Sequence, residues 1–346
     1  MATPYDTLPP AAFWRSGVAE AGPFNLSGLV QPRFAVTRDL TVATAGSCFA
    51  QHVGRALRGA GLSVLDVEPA PPGLDGPQAY GFNLYSGRYG NIYTCRQLHQ
   101  LLHDTATATL RPEAVWHRDG RPHDALRPGI EPGGFASLHE LRALRAFHLN
   151  RLRDLFTRTQ LFVFTLGLTE AWVDATTGTV FPTAPGVIAD PPQGQQVTFR
   201  TFTFAECLAD LTAAHALLRR FNPAMRLLLS VSPVPLTATA SGAHVLTATT
   251  ASKATLRAVV ADFLRDRPEV DYVPSYEIIT NPAARGRFFA PNLRSVTPEG
   301  VDLVMAQFLH AHALAPLPPI APPAPLPETE QDPLICEEAL AEAFQP

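Results

Sequence analysis

No apolar run in the sequence approaches the roughly 20 residues that a membrane-spanning helix needs, so no membrane span is expected. Blocks of basic residues, and basic stretches interleaved with aromatics, are also missing. The 27 basic and 31 acidic side chains leave a net charge of −4, and nucleic acid is not an expected partner. The four cysteines (Cys48, Cys95, Cys207, Cys336) lack the close spacing of a disulfide framework or a zinc ribbon, which leaves reduced thiols acting separately. There is no glycine-rich phosphate loop or dinucleotide fingerprint, and no cofactor is expected. The opening "MATPYDTLPPAAFWRSG" has neither the basic start nor the apolar core of a signal peptide, so the expectation is a cytoplasmic protein. Lysine is nearly absent as well: Lys253 is the single lysine, a bias typical of a GC-rich genome.

What is present is enough apolar sequence, 46%, to bury a sizeable core. Four segments read as short buried strands: "LTVATAG" (40–46), "QLFVFTLGL" (160–168), "MRLLLSVSPV" (225–234) and "VDYVPSYEII" (270–279), with a weaker fifth in "LSVLDVE" (62–68). Their apolar runs are nearly continuous, as expected of parallel strands covered on both faces. Helical patterns follow at Phe49 to Gly59, Phe204 to Phe221, Ala251 to Arg265, and Pro298 to His312 behind a Thr297 cap. The alternation predicts an α/β fold, a three-layer α/β/α sandwich around a central parallel sheet of about five strands. Function in such sheets sits at the carboxyl ends of the strands.

The reading divides the chain into an N-terminal extension (1–37), a main domain (38–312) and a proline-rich acidic tail (313–346). Within the main domain, turn-rich sequence and a long helical tract at about 69–159 break the rhythm and read as a cap-like insertion over the site. The tail ends in "LICEEALAEAF", a short amphipathic helix pattern that could dock a protein partner; a frayed end is the commoner outcome.

The chemistry concentrates first in "TVATAGSCFAQHVGRAL", where a strand turns into a helix at Ser47 and Cys48. Amides at a helix N-terminus stabilise an attacking thiolate or alkoxide and a bound oxyanion, and a thiol there needs less help from a base. The plainer alternative is a serine N-cap followed by a small buried cysteine. His52, four residues after Cys48, shares its helix face. Cys95, His99 and His103 in "CRQLHQLLH" also share a face but have no evident fourth ligand, and no metal site is expected.

"GSCFA" is similar to the signature of the GSCFA family, a branch resembling the SGNH or GDSL hydrolases. "YGNIYTCRQL", "FTLGLTEAW", "SVSPVPL", "HVLTATTASKATLRAV" and "VPSYEIIT" carry the resemblance over about residues 38–310. It implies a flavodoxin-like fold with the nucleophile after the first strand. Laid over Gly-Asp-Ser-Leu, "GSCF" puts Cys48 on the nucleophilic serine, and a one-residue slip would put Ser47 there instead. Gly167 matches the glycine of Gly-x-Asn-Asp and Thr169 stands at its oxyanion-donating asparagine, with Glu170 beside it as a candidate acid. Gly90 and Asn91 correspond to the second block, with Asn83 as the fallback.

The sequence departs from these relatives before the last helix, where "NLRS" replaces Asp-x-x-His, leaving Asn292 and Ser295. Neither can act as a general base. His244 is the expected substitute base, with Glu277 to orient it. Lys253 and Arg294 could neutralise an anionic substrate, or simply form structural ion pairs. The expected function is an acyl hydrolase or acyltransferase on an ester or thioester, with a carbohydrate or small hydroxylated acceptor. The alternative is a catalytically degenerate module that binds a ligand or a protein partner.

Overall fold

The computed structural model describes residues 3–26 and 28–317; the tail beyond, with Cys336 and its amphipathic end, lies outside the described residues. Five strands form one parallel sheet: β1 (Thr41–Gly46), β2 (Ser63–Val64), β5 (Leu161–Leu166), β9 (Arg226–Val231) and β10 (Val270–Val273). Their order, β10-β9-β5-β1-β2, is the flavodoxin-like arrangement with two directions of growth from the β1/β5 pair.

Side chains alternate across this sheet and both faces are covered, which is why the strands read as continuous apolar runs. Phe162, Phe164, Leu227 and Leu229 enter one core, with α2 (Cys95–Thr107), α3 (Leu138–Arg158), α4 (Phe204–Phe221) and α5 (Val245–Phe263). Val42, Val163 and Leu228 enter the other, with α1 (Phe49–Gly59), α6 (Ser275–Thr280) and α7 (Pro298–Ala311). The three-layer α/β/α sandwich expected from the sequence is the observed fold. No helix of the described residues is long and apolar enough to cross a membrane.

Several elements differ from the expectation. The last strand stops at Val273 because Pro274 cannot donate to the ladder, and "SYEIIT" becomes α6. Helix α5 begins at Val245 rather than Ala251, its threonine-rich first turns being held by the His244 cap and by packing. The 69–159 segment does interrupt the alternation, but α2 and α3 are part of the main core and do not simply sit over the strand ends. Its hairpin β3 (Val115–Arg118) and β4 (Arg121–Asp124) packs through Trp116 against Phe181. That residue belongs to a small antiparallel sheet, β7-β6-β8, built from β6 (Glu170–Asp174), β7 (Val180–Phe181) and β8 (Val197–Thr201).

Candidate active site

The topological switch point lies between β1 and β5, and ligands of open α/β sheets bind there, beyond the strands' carboxyl ends. Gly46 closes β1 with a φ of 140°, and a Cβ on it would stand 2.4 Å from the Thr165 carbonyl oxygen. Only glycine lets the two chains approach so closely. Ser47 follows, its N–H donating to Thr165 O at 3.1 Å, and Cys48 is the N-cap of α1. Both side chains are 3% exposed. Cys48 packs with the apolar cluster on the α1/α7 face, whereas the Ser47 hydroxyl is buried with no hydrogen-bond partner among the described residues.

Three segments converge on this step. After β5, Gly167 lies so near that an added Cβ would stand 3.0 Å from Ser47 Cβ and 3.1 Å from Tyr93 O. The Gly167 and Leu168 amides both donate to Tyr93 O, at 2.9 and 3.0 Å. From α5, buried Lys253 donates through Nζ to Gly167 O at 2.5 Å, and Ser252 Oγ accepts from Thr169 N–H at 2.9 Å. The Gly90–Asn91 loop is tied to β1 by Ile92 N–H, which donates to Gly46 O at 2.8 Å. Buried Tyr85 bridges the Gly90–Asn91 loop and the Ser47 step, with its hydroxyl 3.1 Å from Ser47 O and 2.5 Å from Asn91 Oδ1. Gln51 from α1 donates to the same hydroxyl at 3.2 Å.

The structure thus brings Ser47, Cys48, Gly167, Thr169, Lys253, Gly90 and Asn91 into one neighbourhood. It also shows which of their main-chain donors are already engaged. The Gly167 amide is committed to Tyr93 O and the Thr169 amide to Ser252, so neither backbone donor is poised for an oxyanion. Asn83 is exposed, in a left-handed turn with φ 61°, and the fallback assignment to it has no support.

The expected base and its orienter are not assembled. His244 is exposed at the start of α5, where Nδ1 accepts from Leu246 N–H at 3.2 Å, a local cap that takes up the ring's lone pair. Glu277 is held instead by Arg257, at 2.5 Å, and by the Tyr272 hydroxyl, at 2.7 Å. That carboxylate and burial push the Tyr272 phenol well above its ordinary range. His52 is buried with Nδ1 3.0 Å from the Arg55 guanidinium; a guanidinium only donates, so this nitrogen too is an engaged acceptor. At the "NLRS" turn, Asn292 Oδ1 accepts from the amides of Arg294 and Ser295, and its Nδ2 lies 3.0 Å from Ser295 Oγ. The segment is a self-contained Asx turn with half-buried Arg294 between its ends.

The helical Cys95, His99 and His103 separate: His99 and His103 face Asp210 and Asp104, and Cys95 is buried against Cys207 on α4. Burial and the neighbouring thiol push Cys95 well above the usual thiol range. No group of potential ligands that could hold a metal ion occurs among the described residues.

Sequence reasoning missed Tyr85, Tyr93 and Ser252, whose contributions to the site are a hydroxyl, a main-chain carbonyl and a second hydroxyl that carry no motif. Comparison with known proteins gives a match between residues 41–308 and the model of the GSCFA family. No curated protein matches. Among solved structures, the chain is similar to an acetyl esterase mutant crystallised with acetate ion, at 10% identity and a TM-score of 0.35, over 79% of this chain and 98% of that one.

Proposed function

This chain belongs to the GSCFA family, and from that premise we propose that it is an acyl hydrolase or acyltransferase working through the Gly46-Ser47-Cys48 step. The observation that carries the reading is the position of this step: it opens α1 at the switch point of the sheet, in contact with the Gly167 loop. In the proposed reaction Cys48 Sγ attacks the carbonyl carbon of an ester or thioester, the alkoxide or thiolate departs with a proton, and water or an acceptor hydroxyl resolves the acyl-cysteine. In this reading the positive end of α1 supports the charge that develops on the carbonyl oxygen. Lys253, which donates to Gly167 O, takes in this reading the part of the proton-handling group that His244 and His52 do not fill as the structure holds them. Because Ser47 and Cys48 are both buried, the acyl donor reaches them only after local opening.

The test is acylation by p-nitrophenyl acetate, mapped by peptide mass spectrometry and followed by neutral hydroxylamine, which cleaves thioesters readily and serine esters slowly. An adduct at residue 48 that hydroxylamine removes, lost in Cys48→Ala and kept in Ser47→Ala, is the expected result. An adduct only at residue 47 transfers the role to the serine.

A second reading, a binding module that has lost catalysis, is favoured by one feature: Asn292 and Ser295 bond to each other and offer no base. Absence of any adduct in the folded protein would select it.

A further inference from the structure

Beyond Leu168, on the other side of the Gly167 loop, lies a cavity of about 190 Å³ between β6, β8 and the segment after β9. Its walls are mostly alanine, proline, leucine and valine, with Trp172 and Phe199 meeting edge to face at 5.7 Å between ring centroids. The polar side chains lining it are one carboxylate, Glu170, and three hydroxyls, Thr183, Thr237 and Thr239. Glu170 is 8% exposed, and its carboxylate accepts a hydrogen bond from Thr239 Oγ1 at 2.9 Å. No arginine, lysine or histidine pairs with it among the described residues, and burial pushes its carboxyl above the usual range. The Thr237 hydroxyl, also lining the cavity, is buried without a partner.

A carboxylate largely removed from water and lacking a counter-ion is costly, and proteins normally compensate one with a cation or a full set of donors. This site supplies neither from the protein itself. It does supply aromatic faces, toward which a desolvated ammonium is attracted. We propose that the cavity binds a small, largely apolar ligand bearing one ammonium group, with the Glu170 carboxylate as its counter-ion, Trp172 and Phe199 as its walls, and the Thr237 hydroxyl meeting a polar atom of the ligand. The preference for an amine over a polyol follows from the carboxylate and the aromatic walls: an ammonium supplies the counter-charge that Glu170 lacks, and a neutral polyol does not. The inference stands independently of acyl transfer at Cys48, since it uses no residue of that step.

The probes are cyclohexylamine and cyclohexanol, near-isosteres differing in charge, titrated calorimetrically into the full chain and into Glu170→Gln, Trp172→Ala and Cys48→Ala. Saturable binding of the amine, at least tenfold tighter than the alcohol, weakened at least tenfold by Glu170→Gln and unchanged by Cys48→Ala, is the expected result. Trp172→Ala weakens it too and serves should Glu170→Gln fail to fold. Equal binding of amine and alcohol, indifference to both Glu170→Gln and Trp172→Ala, or no saturation by about 1 mM would each overturn the proposal. Because the Cys48→Ala titration and the acylation assay are separate readouts, either idea can fail alone.

Discussion

At Gly46 two restrictions coincide, a φ of 140° and a Thr165 carbonyl oxygen only 2.4 Å from where a Cβ would be. Gly46→Ala must therefore strain the backbone and push β1 from β5 at the point where Ser47 is placed. The expected cost is more than about 3 kcal/mol, read from urea unfolding, and a change under about 1 kcal/mol would show that the strands can part cheaply. Ser252→Ala is a milder case: it deprives the buried Thr169 amide of its acceptor and should cost about 1 to 3 kcal/mol, again by unfolding. At this scale the sequence located much of the neighbourhood, because strand-to-helix turns carry their residues to the switch point by topology alone. It misjudged partners. His244 and Glu277 do not pair as expected, because a helix cap claims the first and Arg257 the second. Local hydrogen bonds compete with long-range ones, and a linear motif does not show which prevails.

Helices were legible where their ends are written chemically. Thr203 and Glu206 form a reciprocal capping box at the start of α4, and Thr297 caps α7 through Gly300 N–H. Thr297→Ala should cost about 1 kcal/mol and loosen α7 against Phe288 and Val296, visible as faster amide exchange in its first turn. Unchanged stability and exchange would show that Pro298 and packing suffice to start the helix. The parallel strands were legible for a different reason, their two-sided burial. What escaped was the β7-β6-β8 sheet: its strands are two to five residues long, broken by turns such as "TTGT" and "PPQGQ", with β8 largely exposed. Such strands exist through pairing rather than through any periodicity of their own. The same holds for α2 and α3, whose apolar faces are plain but whose place in the core depends on a long connection returning to β5.

Across the whole molecule, the 69–159 segment is held together by a buried ionic network that reaches Glu68, just outside it. His148 Nδ1 donates to Glu68 Oε2 at 2.8 Å, Asp124 accepts from Arg127 at 2.8 Å, and Arg111 grips Asp104 at 2.7 and 2.8 Å while Arg145 lies between the two aspartates. Burial and the Arg127 charge hold the His148 imidazole at about 4, so in the folded protein it stays neutral where an unfolded chain would take up a proton. The unfolded state binds more protons below the ordinary histidine pKa of about 6.5. The stability His148 contributes is thus full above that pH and is lost as pH falls toward 4, by about 3 kcal/mol in all. His123, His215 and His312, also held low by burial, tilt the curve the same way, and Asp66 and Asp302, held high, oppose it at lower pH. A difference measurement isolates the one group. In His148→Gln the amide can still donate to Glu68 but cannot be protonated, so the gap in unfolding free energy between the parent and this variant should shrink as pH is lowered from 7 to 4, by about 3 kcal/mol. A gap that instead widens as pH is lowered would mean that His148 is protonated already at pH 7 in the folded network, and that Glu68 and His148 form an ion pair rather than a neutral donor on a carboxylate.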